Sequence, residues 1–100
     1  MQRKNIPKMK IDYDKNADVL YITFGNPQKS VAEDGDFLAG IIILKNPSTR
    51  KVTGITLDAF TQRVKKGYLD SIVKKTHPYI NKASLLKIYN DIEGTSLQVK

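Results

Sequence analysis

Alternation of apolar and polar residues dominates the first part of the chain. Residues 9–13 alternate with a period of two, which is typical of a strand with one buried face. Residues 19–24 are almost all β-branched or aromatic, and their even-numbered side chains share one face. The pattern therefore predicts two strands joined by a turn at residues 14–17, where the side chains favour turn conformations.

Three further strands are predicted before residue 60. A short strand at 29–33 leads to Asp34 and Gly35, a pair that favours a two-residue hairpin because glycine accepts positive φ. Residues 37–45 form the longest predicted strand, apolar enough to be buried on both faces, and residues 52–57 form the last. No connection is long enough for a parallel crossover, so we expect an antiparallel β-meander of four or five strands.

The hydrophobic period changes after Thr61. Apolar residues then recur at helical spacing through Val64 and Ile72, until Pro78 ends the pattern. A second helix is predicted with Asn81 as its N-cap and Gly94 as its C-cap. Residues 95–99 are expected to form a short strand or a frayed end. The predicted fold is α+β, with two C-terminal helices packed on the sheet.

The 100 residues are enough for one domain with one core. Within it we expect a basic arm at 1–8, the meander at 9–58, a helical segment at 59–93 and a tail at 94–100. The longest apolar run, residues 38–44, is too short to cross a bilayer, and no apolar stretch follows the basic N-terminus as in a signal peptide. For these reasons the chain is expected to be soluble and free of membrane contact. Because it has no cysteine, it is expected to be cytoplasmic.

Positive charge is concentrated at the two ends of the chain. Residues 1–10 carry four cations and no acids, residues 11–60 have a net charge of −2, and residues 61–100 have a net charge of +5. Such asymmetry attracts nucleic acid or acidic partners, although lysine-rich solvated surfaces are also common. The candidate nucleic-acid contacts are the cations of the arm and of the helical segment: Arg3, Lys4, Lys65, Lys66, Lys74 and Lys75.

The sequence contains little that indicates catalysis or metal binding. Asp12, Asp14, Asn16 and Asp18 resemble the start of a calcium loop, but the glycine and the bidentate glutamate that such a loop needs are missing. His77 is the single histidine and has no cysteine or clustered carboxylate near it in sequence. No nucleotide-binding or hydrolase motif is present. We therefore expect no enzymatic activity, no catalytic residue, no metal and no cofactor.

One stretch carries a family resemblance. The twelve residues from Tyr13 to Phe24 read YDKNADVLYITF. They resemble the Y-D-x-x-A-D-x-L-Y-I-x-F motif of a small bacterial and archaeal family catalogued as a domain of unknown function. Residues 54–59 are similar to its closing G-I-x-x-L-D-A strand, with one residue fewer. The resemblance covers about residues 9–60 and implies a compact β-meander packed by a helix, with no established catalytic residues to transfer.

The resemblance also bears on function, because some members of that family resemble antitoxin partners of small toxins. We therefore expect an interaction module, antitoxin-like in the sharpest form of the hypothesis, with nucleic-acid binding as the alternative. One face of the sheet, lined by Val19, Tyr21 and Ile42, has no obvious cover within the chain. These three residues are the candidate interface, and a homodimer is the expected way to cover it.

Overall fold

The computed structural model describes residues 9–97, and their side chains except at 34 and 95–97. The predicted arm and the last three residues lie outside this range. The structure consists of five strands followed by three helices. Their bounds are β1 Met9–Asp14, β2 Val19–Phe24, β3 Val31–Asp36, β4 Ile41–Lys45, β5 Val52–Asp58, α1 Phe60–Lys65, α2 Leu69–Thr76 and α3 Lys82–Leu97.

All five strands pair antiparallel in the order β1-β2-β5-β4-β3. The predicted α+β class, with an antiparallel sheet followed by C-terminal helices, is confirmed. The order differs from a sequential meander at one place, because β5 lies between β2 and β4, and β2 does not contact β3. The central position suits β5, whose residues 53, 54, 55 and 57 are buried.

The hairpin between β3 and β4 is not where the sequence predicts it. Asp34 and Gly35 lie inside β3, and the chain reverses through a 3₁₀ turn at Phe37–Ala39 that ends at Gly40 with φ +72°. Gly35 has φ +133°, and a Cβ there would collide with the carbonyl oxygen of Ile41. Glycine is thus required by close approach of the neighbouring strand, as at an irregular point in a ladder, and not by a two-residue turn.

The core lies between one face of the sheet and the helices. The sheet contributes alternate residues of its three central strands, and the helical layer contributes four side chains. The buried apolar residues are Leu20, Ile22, Ile41, Ile43, Ile55, Leu57, Phe60, Ile72, Ile80 and Leu85. Val64 and Ile88 pack against this core.

The helices differ from the prediction in number and extent. The first predicted helix is divided into α1 and α2 by a turn at Gly67, which has φ +92°. Asn81 does cap α3, since its Oδ1 accepts a hydrogen bond from the amide of Ser84 at 2.8 Å. Gly94 lies inside α3, so it is not the C-cap, and residues 95–97 continue the helix rather than forming a strand. In the described part of the chain, no helix is long and apolar enough to span a membrane.

Candidate functional site

The sheet face opposite the helices is ordered in rows by strand register. Tyr21 pairs with Thr56, and Thr56 pairs with Ile42, so these three residues form one row across β2, β5 and β4. The next row is Thr23, Gly54 and Leu44. We call this surface the open face and define it by seven residues: Val19, Tyr21, Thr23, Ile42, Leu44, Gly54 and Thr56.

The three predicted interface residues all belong to the open face. Val19 and Tyr21 alternate with the buried residues of β2, and Ile42 lies two strands away in the same row as Tyr21. Tyr21 is 43% exposed, whereas Val19 and Ile42 are half-buried. Sequence reasoning therefore selected side chains that the fold places on one surface.

Charged side chains stay at the margin of the open face. On β1 they are Lys10 and Asp12, whose ammonium and carboxylate groups lie 3.9 Å apart, and Asp14. Asp58, at the end of β5, pairs with Val19 in the last row. The two rows between these margins present no charged side chain on β2, β5 or β4.

Asp18 connects the turn after β1 to the start of α1. It is 9% exposed, and its Oδ1 accepts hydrogen bonds from the Tyr13 hydroxyl at 2.7 Å, the Thr61 amide at 3.0 Å and the Thr61 hydroxyl at 2.9 Å. Its Oδ2 accepts from the amide of Gln62 at 3.2 Å. The carboxylate thus caps a helix that begins more than forty residues later, because the first amides of a helix lack intrahelical acceptors.

These hydrogen bonds shift the pKa values of Asp18 and Tyr13. Burial alone would raise the pKa of Asp18, but the amide of Thr61, the Tyr13 hydroxyl and the other donors favour the carboxylate and hold its pKa below the ordinary value. Burial, followed by the bond to Asp18, raises the pKa of Tyr13. Every donor here serves the fold, which indicates a structural role for the Tyr13 and Asp18 positions of the motif.

The acidic residue that precedes this turn, Asp14, also has structural partners. The Oδ1 atom of Asp14 accepts hydrogen bonds from the amides of Asn16 and Ala17 at 3.0 and 3.1 Å, so it closes the turn. Within residues 9–97, no group of three His, Cys, Asp or Glu side chains is placed to hold a metal ion. His77 is exposed directly after α2.

The predicted nucleic-acid contacts within the described residues lie on or directly after α1 and on α2. Arg3 and Lys4 lie outside the described residues. The ammonium of Lys65 is 3.3 Å from Glu93 of α3, and that of Lys75 is 3.0 Å from Asp36 of β3, at the far edge of the sheet from β1. Lys66 and Lys74 are exposed.

A different group of cations lines a cavity that sequence reasoning missed. The cavity, of about 470 Å³, lies where the end of the sheet meets the connection between α2 and α3. It is lined by two aromatic rings, one valine and three cations: Phe24, Tyr79, Val52, Lys45, Arg50 and Lys51. Two successive cations in the turn before β5 were a local signal for it, but the aromatic rings come from distant elements.

The opposite end of the sheet exposes apolar side chains. Phe37 and Leu38 belong to the 3₁₀ turn and are 68% and 95% exposed. The prediction that residues 37–45 form one strand buried on both faces is therefore wrong at its beginning. The 3₁₀ turn places Phe37 and Leu38 at the end of the sheet, where both side chains remain exposed.

Comparison with known proteins identifies a family and no individual relative. A family model described as "Protein of unknown function (DUF2283)" matches residues 10–59, half of the chain. The match covers the sheet and stops before α1. Neither the curated proteins nor the solved structures include a significant match to the chain.

Proposed function

The chain belongs to the DUF2283 family, and because that family's description names no activity, we propose a function from the surface of the sheet. The proposed function is homotypic interaction, in which two copies pack through their open faces. A single observation carries the proposal: the central rows of the open face have no charged side chain on β2, β5 or β4.

The composition of this face is unusual for a sheet surface in contact with water. Solvated faces of antiparallel sheets normally alternate polar residues with the buried ones of the opposite face. Here the outward positions are held by Val19, Tyr21, Ile42 and Leu44, with threonine and glycine between them. Burying these side chains against a second apolar face removes them from water, which is favourable in proportion to the apolar area.

A dimer formed through the open face would have to bury the whole sheet face, including its charged margin on β1. Five strands about 4.8 Å apart, each about five residues long, cover roughly 400 Å² in projection. A stable interface buries roughly 800 Å² of accessible surface on each partner. Contact would therefore have to extend over the whole face, as in two aligned sheets about 10 Å apart.

The shape of the open face favours a second copy of the chain as the partner. Tyr21 is its largest side chain, whereas Gly54, on the neighbouring strand and one row away, has no side chain. Gly54 cannot be enlarged, because a Cβ would lie 2.8 Å from the carbonyl oxygen of Ile22. A twofold axis between the two positions sets each tyrosine ring over Gly54 of the second copy, which gives the self-complementarity that a symmetric dimer needs.

Light scattering with substituted variants tests the proposal. At micromolar concentration the wild type should have about twice the chain mass of 11.3 kDa. Tyr21→Glu and Ile42→Asp should give folded monomers, because each would bury an unpaired carboxylate in the interface. Circular dichroism would establish that each variant is folded.

Tyr68→Glu is the matched control. Tyr68 is also an exposed tyrosine, at 52% against 43% for Tyr21, but it lies on the helical side at the start of α2. This variant should remain a dimer. A wild type that stays monomeric up to millimolar concentration, or a folded Tyr21→Glu variant that stays dimeric, would refute the proposal.

An antitoxin-like role is the sharper form of the same proposal, with a small toxin in place of the second copy. It rests on the resemblance noted above and on the same uncharged rows. Co-expression with the product of an adjacent toxin-like gene would test it. A stable complex of the two proteins that Tyr21→Glu abolishes would support the antitoxin-like role. A homodimer that does not exchange a subunit for the toxin would count against it.

Nucleic-acid binding through the arm and helices is the alternative function. It has less support, because Lys65 and Lys75 are engaged by acids on different elements. If it is correct, log affinity for duplex DNA should fall by about 0.9 per phosphate contact for each unit of log salt. Glutamine at Lys65, Lys66, Lys74 and Lys75 should then flatten the dependence, and absence of binding at low salt would exclude it.

A further inference from the structure

We propose that the cavity between the end of the sheet and the α2–α3 connection binds a phosphate group attached to a planar base. Phe24 and Tyr79 supply aromatic surface from two different layers of the fold, and Lys45, Arg50 and Lys51 supply positive charge. Its volume of about 470 Å³ lies within the range of small-molecule pockets, roughly 300–1,000 Å³. The shared ligand chemistry is that of a nucleotide, whether free or within a single strand.

The turn that carries the cations is held rigidly. Oδ1 of Asn46 accepts hydrogen bonds from the backbone amides of Ser48 at 2.8 Å and Thr49 at 3.1 Å. The backbone carbonyl of Asn46 accepts a hydrogen bond from the backbone amide of Arg50 at 2.8 Å. The amide of Asn46 donates to the carbonyl of Lys51 at 2.9 Å. A rigid turn places the cations before a ligand arrives, which reduces the entropy lost on binding.

Arg50 occupies a backbone conformation that an arginine rarely adopts. Its φ is +67°, in the left-handed region where glycine or asparagine fits without the same steric cost. A long cationic side chain at a strained backbone position is a reason to look for a use of that side chain. One guanidinium nitrogen is 2.6 Å from a Glu33 carboxylate oxygen, which fixes its orientation. The remaining N–H groups of the fork are available to a phosphate, since arginine has five donors.

Charge and aromatic surface are arranged for two parts of one ligand. Lys51 is exposed, and its ammonium has no ion-pair or hydrogen-bond partner among the residues that the structure describes. Phe24 is half-buried and Tyr79 is 42% exposed, so at least one ring presents surface on which a base can stack. Because Tyr79 belongs to the helical layer, the cavity lies away from the open face, and its ligand is independent of dimer formation.

The test is titration of the full chain with adenosine monophosphate at low salt, followed by calorimetry and by backbone amide NMR shifts. Adenosine monophosphate should bind and shift the amides of Phe24, Val52 and Tyr79, whereas adenosine and inorganic phosphate should each bind at least tenfold more weakly. Lys51→Gln should weaken binding about tenfold, as expected for loss of a hydrogen bond to a charged group. Tyr79→Ala should weaken it by a similar factor through lost stacking.

Lys15→Gln is the charge-matched control, since Lys15 is an exposed lysine in the turn between β1 and β2, at the opposite end of these strands from Phe24, and it should leave binding unchanged. A hexamer of deoxyadenosine distinguishes the two sources of the ligand: tighter binding than the mononucleotide indicates single-stranded nucleic acid, and equal binding indicates a free nucleotide. No binding at millimolar nucleotide would overturn the proposal. Equal affinity for inorganic phosphate, or equal losses in Lys15→Gln and Lys51→Gln, would overturn it as well.

Discussion

Replacing Asp18 with asparagine keeps the shape of the side chain and removes its charge. Asp18 accepts four hydrogen bonds, three at Oδ1 and one at Oδ2. An asparagine that keeps its oxygen toward Tyr13 and Thr61 would turn its NH₂ group toward the amide of Gln62, so two donors would face each other. We therefore expect the variant to fold but to lose the hydrogen bond from the amide of Gln62 and the charge assistance of the remaining bonds.

The expected loss can be built from these contacts. A donor left without its acceptor costs about 1–3 kcal/mol, and loss of the charge weakens the remaining hydrogen bonds by about 1 kcal/mol together, since bonds to charged groups are the stronger ones. We take about 3 kcal/mol for Asp18→Asn, which for a domain of this size lowers Tm by about 15 °C. Urea denaturation at pH 7 measures the difference in the free energy of unfolding.

The pH dependence supplies a second, independent measurement. Because the folded pKa of Asp18 is lowered, its contribution is complete above the unfolded pKa of about 3.9 and declines as pH falls through the folded value. The difference between the wild type and Asp18→Asn should therefore be constant from pH 7 to about pH 5 and shrink below about pH 4.

Asp14→Asn is the matched control, since Asp14 also accepts two amide hydrogen bonds but is exposed. It should change stability by less than about 0.5 kcal/mol. An Asp18→Asn variant as stable as Asp14→Asn at pH 7, or a difference that widens as the solution is acidified, would contradict the assigned role of Asp18.

Two further predictions concern substitutions at residues with a structural role. Gly54→Ala should lower the free energy of unfolding by about 1–3 kcal/mol, because its Cβ would lie 2.8 Å from a backbone oxygen of β2. Gly94→Ala should raise it by up to about 1 kcal/mol, because Gly94 lies inside α3 with open space around it. Equal denaturation midpoints for the two variants would refute this prediction. Tyr13→Phe should cost about 1 kcal/mol through the lost bond to Asp18. In an alkaline absorbance titration it should also remove a late-ionising tyrosine, since the pKa of Tyr13 is raised by burial and by Asp18, and an unchanged titration curve would count against it.

Local pattern was sufficient for most elements of secondary structure. The alternation in residues 9–13 and the β-branched run in 19–24 correspond to β1 and β2, and Asn81 caps α3 as its position before the apolar repeat indicates. Such features depend on neighbours within a few positions. The same local reasoning failed at Gly35 and Gly94, because glycine there is compatible with a strand and a helix as well as with a turn or a cap.

The candidate sites divide in the same way. Val19 and Tyr21 share a face because strand periodicity requires it, and Ile42 joins them because β4 also lies inside the sheet. The cavity could not be predicted, since Phe24, Arg50 and Tyr79 come from a strand, a turn and a helix connection. No spacing in the sequence relates those three positions.

Local sequence pattern was enough to predict the positions of β1, β2 and β5, the antiparallel pairing, the helices that follow, and which side chains of β2 face outward. The position of β5 between β2 and β4, and the capping by Asp18 of a helix that begins at Phe60, could be seen only in the folded structure. The physical reason is distance along the chain. Periodicity and capping act within one or two turns, whereas the bond between Asp18 and Thr61 spans 43 positions and forms only when β2 and β5 are paired.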